Sequence, residues 1–104
     1  MKSKIQILQL KENTENRYYK YTGMDMLKSE GLEPSLDRYE TVYEYEQEMP
    51  TEQDEIIEQL DVIYSKFQGM KPEGYKGHSL SVSDIIKVDD TCFYVDDYGF
   101  EKIF

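Results

Sequence analysis

Six apolar residues between Pro50 and Met70 constrain this chain more than any other feature. Ile56, Ile57, Leu60, Ile63, Tyr64 and Phe67 recur at helical intervals, so a helix gathers them into one stripe. The spacing predicts a helix from Glu52 to Gln68, acidic in its first turn as the helix dipole prefers, with Gly69 marking its end. Thr51 and Asp54 have the form of a capping box, with the shorter Asp at its third position. Such a stripe must be covered by another apolar surface.

The residues just before it offer one. From Tyr39 to Glu48 the chain alternates, which predicts a strand stopped by Pro50. Tyr39, Thr41, Tyr43 and Tyr45 are expected on the inner face, and Glu40, Val42, Glu44, Glu46 and Glu48 on the outer. In "KIQILQL", Ile5, Ile7 and Leu10 alternate with Lys4, Gln6 and Gln9, the pattern of a strand with one buried face. A polar loop around "ENTEN" follows, then a short strand from Arg17 to Tyr21. A brief helix from Met24 to Glu30 is expected next, with Thr22 as its cap and Gly31 as its stop. "MKPEGYKG" is a loop by composition. "HSLSVSDIIKV" becomes strand-like and offers Leu80, Val82, Ile85, Ile86 and Val88 to a core, and "TCFYV" and "FEKIF" flank "DDYG" as a hairpin. The expected fold is α+β, a small antiparallel sheet packed against one main amphipathic helix with a short additional helix. The 104 residues form a single domain, its core leaning on ten Tyr and four Phe.

The formal charge is −10, and its distribution matters more than its size. Residues 30–61 hold twelve acids against Arg38 alone, whereas the remaining residues are close to neutral. Direct nucleic-acid binding through this third is disfavoured, because phosphate contacts need Lys and Arg. A basic partner is favoured, since a one-signed field speeds encounter with the opposite sign. With no apolar run approaching a membrane span and no signal-like N-terminal stretch, the chain is expected to be soluble and cytoplasmic.

Candidate catalytic groups are sparse. Cys92 is the only cysteine, which excludes an internal disulfide and a cysteine-built metal cage, and it sits in an apolar strand where an inert buried thiol is usual. His78 lies in a polar loop. Ser79, Ser81, Ser83 and Asp84 lack the Gly-x-Ser-x-Gly elbow of a serine nucleophile and are expected to hydrogen-bond locally to backbone. Asp89, Asp90, Asp96 and Asp97 fall at the two ends of one strand, roughly 15 Å apart, too far to converge on a cation. No phosphate-cradling glycine motif is present. No enzyme activity, cofactor or metal is expected.

The acidic segment remains. Glu40, Glu44, Glu46, Glu48, Glu52, Asp54, Glu55, Glu58 and Asp61 are the candidate partner-binding residues, a carboxylate strip able to imitate a nucleic-acid backbone toward a protein that grips one. The plainer reading is a solvated face whose acids also discourage edge pairing. Tyr43, Tyr45 and Tyr64 would add contact area where they are not buried.

The C-terminal third carries more than pattern. "GYKGHSLSVSDIIKV" followed by "FYVDDYGFEKI" resembles the YodL-like domain, and the earlier "GMDMLKSEGL" and "DRYETVY" look like the same family. That resemblance covers nearly all of the chain and is most specific in "GHSLSVSD" and "YGF". It implies an accessory protein of Firmicutes mobile elements, with no catalytic residues to carry over. The chain departs from the family's usual look in the acidic load of residues 42–61. Mobile elements meet restriction enzymes and CRISPR nucleases whose channels are basic. The expected function is therefore a non-enzymatic defence inhibitor of the anti-CRISPR type, a nucleic-acid mimic blocking guide or target loading of an effector nuclease. The alternative is an accessory protein-binding module for conjugative element maintenance or transfer.

Overall fold

The structure, a computed structural model, describes residues 2–12, 16, 19–97 and 99–103. Strand β1 (Lys2–Leu10) is an interior strand of the sheet, helix α1 (Met24–Ser29) follows, and a 3-10 turn (Leu36–Arg38) leads into β2 (Tyr39–Glu48). Helix α2 (Gln53–Gly69) then carries the chain across to β3 (Ile85–Val88), β4 (Thr91–Val95) and β5 (Phe100–Lys102). All five strands pair antiparallel in the order β2-β1-β3-β4-β5. Because β2 and β3 flank β1, the crossover through α2 lays that helix over one sheet face. The α+β expectation holds.

Helix α2 buries Leu60, Ile63 and Phe67 against Ile5, Ile7, Val42, Ile86, Phe93 and Val95, with Ile56, Ile57 and Tyr64 packed around them. All six residues of the sequence stripe meet this core. The caps differ from expectation: Glu52 is the N-cap with no side-chain cap bond, so Thr51 and Asp54 form no capping box.

A second core lies on the opposite face, under α1, where Leu8, Leu10, Tyr39, Ile85, Cys92 and Tyr94 meet Met24 and Leu27. β1 is thus buried on both faces toward its end, not on one. Ile5 and Ile7 face α2, while Leu8 and Leu10 face α1. Tyr19 to Tyr21, expected at the end of a strand, form a turn in which Tyr21 has φ 60°, and Arg17 and Tyr18 lie outside the described residues. The α1 N-terminus is served not by Thr22 but by Asp96, whose Oδ1 accepts the Met24 N–H at 2.9 Å. At its other end Gly31, at φ 73°, gives its N–H to the Lys28 carbonyl while Leu32 gives its N–H to Leu27. This is the Schellman arrangement, which needs a left-handed residue and so a glycine.

The largest departure concerns β2. Its register with β1 jumps between Ile7, opposite Tyr43, and Leu8, opposite Thr41, leaving Val42 as the extra residue of a β-bulge. The bulge puts Val42 and Tyr43 on the same face and reverses the phase before it. Tyr39 and Thr41 therefore lie on the α1 side, while Val42, Tyr43 and Tyr45 meet the α2 core. Tyr43, Tyr45, Phe67 and Tyr75 form a cluster of rings with centroids 5.6 to 5.7 Å apart, tying β2, α2 and the following loop together.

The phase of α2 is directly testable. Leu60→Ala, at a fully buried position, is expected to cost about 2–5 kcal/mol in urea unfolding, whereas Val62→Ala, at a position 58% exposed, should change stability by less than about 0.5 kcal/mol. Equal costs would place the helix in a different rotation.

Candidate functional site

The carboxylates of the acidic segment divide between two surfaces. Glu44, Glu46 and Glu48 alternate with Tyr43 and Tyr45, so they project from the face of β2 turned away from α2. There they stand opposite Gln6, Lys4 and Lys2 of β1. The Glu44 carboxylate accepts from Gln6 Nε2 at 3.0 Å and lies 3.4 Å from Lys4 Nζ. Lys87 of β3, opposite Gln6, extends the same face. Glu44 thus makes an ion pair, and Glu46 and Glu48 stand in register with Lys4 and Lys2, positions where opposite-charge pairs contribute about 0.2–1 kcal/mol each. Glu40, beyond the bulge, turns to the other side and lines a cleft of about 200 Å³ with Gln9, Glu12, Lys76 and His78.

Glu52, Asp54, Glu55, Glu58 and Asp61 behave differently. All are exposed, at the start of α2 and along its outward stripe, with Val62 in their midst. None makes an ion pair among the described residues. These five acids form one surface with each other and not with Glu44, Glu46 and Glu48. Tyr43, Tyr45 and Tyr64 are half-buried and spend their rings on the core. Burial pushes the Tyr45 hydroxyl up to about 12.

A buried polar centre that the sequence did not announce sits behind the "GHSLSVSD" loop. Gln9 of β1, 2% exposed, uses its carboxamide as a peptide group would: Nε2 donates to the His78 carbonyl at 2.8 Å, and Oε1 accepts the His78 N–H at 3.1 Å. The same Nε2 donates to Asp84 Oδ2 at 3.1 Å, and that oxygen accepts the Ser81 N–H at 2.8 Å. The amide comes so close to Gly77 that a Cβ there would meet Gln9 Oε1 at 2.0 Å, which is why the position is glycine. Leu80 plugs into the α2 core and its N–H donates to the Phe67 carbonyl.

Of the neighbouring serines, Ser81 acts locally as expected, its Oγ donating to the Ser79 carbonyl, whereas Ser83 reaches across the fold, its Oγ accepting the Tyr21 N–H. Ser83, at φ 85°, also presents its carbonyl to the Tyr39 hydroxyl at 2.5 Å. His78 Nδ1 bonds the Ser79 carbonyl at 2.7 Å and Nε2 lies 4.0 Å from Asp84 Oδ1. Cys92 belongs to the α1-side core, and burial pushes its thiol up, away from the thiolate form. The centre holds the loop on the sheet.

The aspartates shape turns. Asp89, at φ 53°, begins the two-residue β3–β4 hairpin and accepts the Lys4 N–H, which holds its carboxylate below the usual range. Asp96 serves α1 and also accepts the Asp97 N–H. No cluster of three metal-binding side chains occurs among the described residues. Nor is any helix among them long and apolar enough to cross a membrane.

Fold and site together define a small α+β domain in which the loop around His78 is clasped to the interior strand β1. The chain matches the YodL-like domain family over residues 4–104, and it belongs to that family. No curated protein and no solved structure matches it.

The buried carboxyl carries a pH signature. Burial pushes Asp84 up from 3.8 to about 7, opposed by the Ser81 and Gln9 hydrogen bonds and by Lys20. The folded chain therefore holds this proton more tightly than the unfolded one. Its contribution to stability is complete below about pH 4 and is lost as pH rises toward 7, by on the order of 4 kcal/mol at most. Asp84→Asn keeps an oxygen for Gln9 and Ser81. Stability of wild type relative to this variant, from urea melts at a series of pH values, should fall between about pH 4 and 7 and then level off. A difference that rises over that window would mean the charged form is the one the fold favours.

Proposed function

We propose that this YodL-like protein acts without catalysis, by binding a basic nucleic-acid-gripping protein of a host defence system. The most fitting target is a CRISPR effector nuclease or a restriction enzyme, whose guide or target loading it would block. The observation that carries this reading is the outward face of α2: Glu52, Asp54, Glu55, Glu58 and Asp61 are exposed and have no cationic partner among the described residues. A row of uncompensated carboxylates on a rigid helix offers the sign and repeat that a phosphate-binding channel is built to hold. Glu44, Glu46 and Glu48 contribute less in this reading, since Lys2 and Lys4 share their face. Glu40 sits apart from both sets.

Capture from host lysate, paired with plasmid-interference assays in cells carrying a defined CRISPR or restriction system, tests the reading. Wild type should recover a nucleic-acid-binding defence protein at physiological salt, where charges reach about 8 Å, and release it near 1 M, where they reach about 3 Å. Glu55→Gln with Glu58→Gln and Asp61→Asn should weaken capture at least about tenfold, and Glu44→Gln with Glu46→Gln by clearly less. Recovery of conjugation proteins alone, unaffected by the α2 changes, would favour an accessory module for element maintenance or transfer.

A further inference from the structure

β2 is one of the two edge strands of the sheet, and its hydrogen-bonding phase can be fixed from β1. The Lys4 carbonyl accepts the Asp89 N–H and the Lys4 N–H donates to the Asp89 carboxylate, both on the β3 side. Alternation then turns the backbone groups of Ile5 and Ile7 toward β2, where they meet Tyr45 and Tyr43. The N–H and C=O groups of the intervening Glu44 and Glu46 consequently point away from the sheet. Val42, next in this phase, confirms the direction, because its carbonyl accepts the Lys76 N–H from outside at 2.9 Å. Beyond that one contact, the backbone of Glu44 and Glu46 has no hydrogen-bond partner among the described residues.

We propose that β2 is a docking edge for an extended basic segment of a partner protein, added as a sixth strand alongside Glu44 and Glu46. The edge itself supplies four backbone groups, as in other strand additions. The side chains choose the occupant. On one face Glu44 and Glu46 each have β1 on one flank and nothing on the other, so a strand placing Lys or Arg opposite them completes a second row of cross-strand pairs. On the other face the added strand would lie beside Tyr45, which favours an apolar residue at alternate positions. A second copy of this chain is a poor occupant, because β2 against β2 sets glutamates opposite glutamates. This surface is distinct from the α2 stripe and does not depend on it.

The test uses the whole protein and a capped synthetic peptide of alternating lysine and valine, read by amide hydrogen exchange. Bound peptide should slow exchange at Glu44 and Glu46 at least about tenfold while leaving the α2 amides unchanged. A peptide of equal charge N-methylated at its lysine amides, which then cannot donate to β2, should give no such protection. Glu44→Lys with Glu46→Lys should bind the original peptide roughly tenfold or more weakly, and should accept an alternating glutamate and valine peptide instead. Glu55→Gln with Glu58→Gln should leave all of this intact, so failure here and failure of the α2 reading are separable. The proposal is overturned by absent protection, by protection that survives N-methylation, or by protection confined to α2.

Discussion

Everything about this molecule's surface follows from one shared core. The tyrosine face of β2 and the apolar stripe of α2 are successive in sequence and pack into the same core, which includes Ile5 and Ile7 of β1. Two amphipathic elements that meet through their apolar sides must turn their polar sides away from each other. A continuous acidic segment is therefore split by folding into a sheet face and a helix face. The first lies beside the lysines of β1 and the second lies in water. Charge counted along the chain does not predict charge felt by a partner.

The loop around His78 is held by a second constraint, the burial of Gln9. A carboxamide that bonds the backbone of His78 through both its oxygen and its nitrogen substitutes for a strand pairing where the chain is not a strand. Buried polar groups of this kind specify one arrangement because breaking any contact leaves an unsatisfied partner. Gly77 is required by the approach of the Gln9 amide, Asp84 by the remaining donors, and Leu80 anchors the loop to the helix core. His78 and Ser79 are positioned for holding a loop.

Much of the architecture was legible because its signals are local and periodic. The α2 stripe, the Schellman stop at Gly31 and the C-terminal hairpin all declare themselves within a few residues. The bulge at Val42 does not, since it is created by the register between β1 and β2 and leaves the alternation of the sequence untouched. For the same reason Tyr39 and Thr41 lie on the α1 side, although simple alternation groups them with Tyr43 and Tyr45. Gln9 read as a solvent position because its partners lie some 70 residues away, and Leu8 and Leu10 gave no hint of a second core until α1 covered them. Thr22 and Thr51 had the right identity for caps, but Asp96 took the first role from across the fold and the second was left to Glu52. Of the candidate binding residues, the sequence supplied the list but not its division.

That division is the claim on which the functional account rests, and a small cation reports it without any knowledge of the partner. Hexaamminechromium(III), a compact paramagnetic trivalent ion, enhances relaxation wherever uncompensated negative charge gathers it. Measured amide by amide at low salt, the enhancement should be strongest along residues 52–61 of α2 and clearly weaker along residues 44–48 of β2, where the β1 lysines stand opposite. Equal enhancement on both elements, or a maximum on β2, would contradict the partition of charge described above.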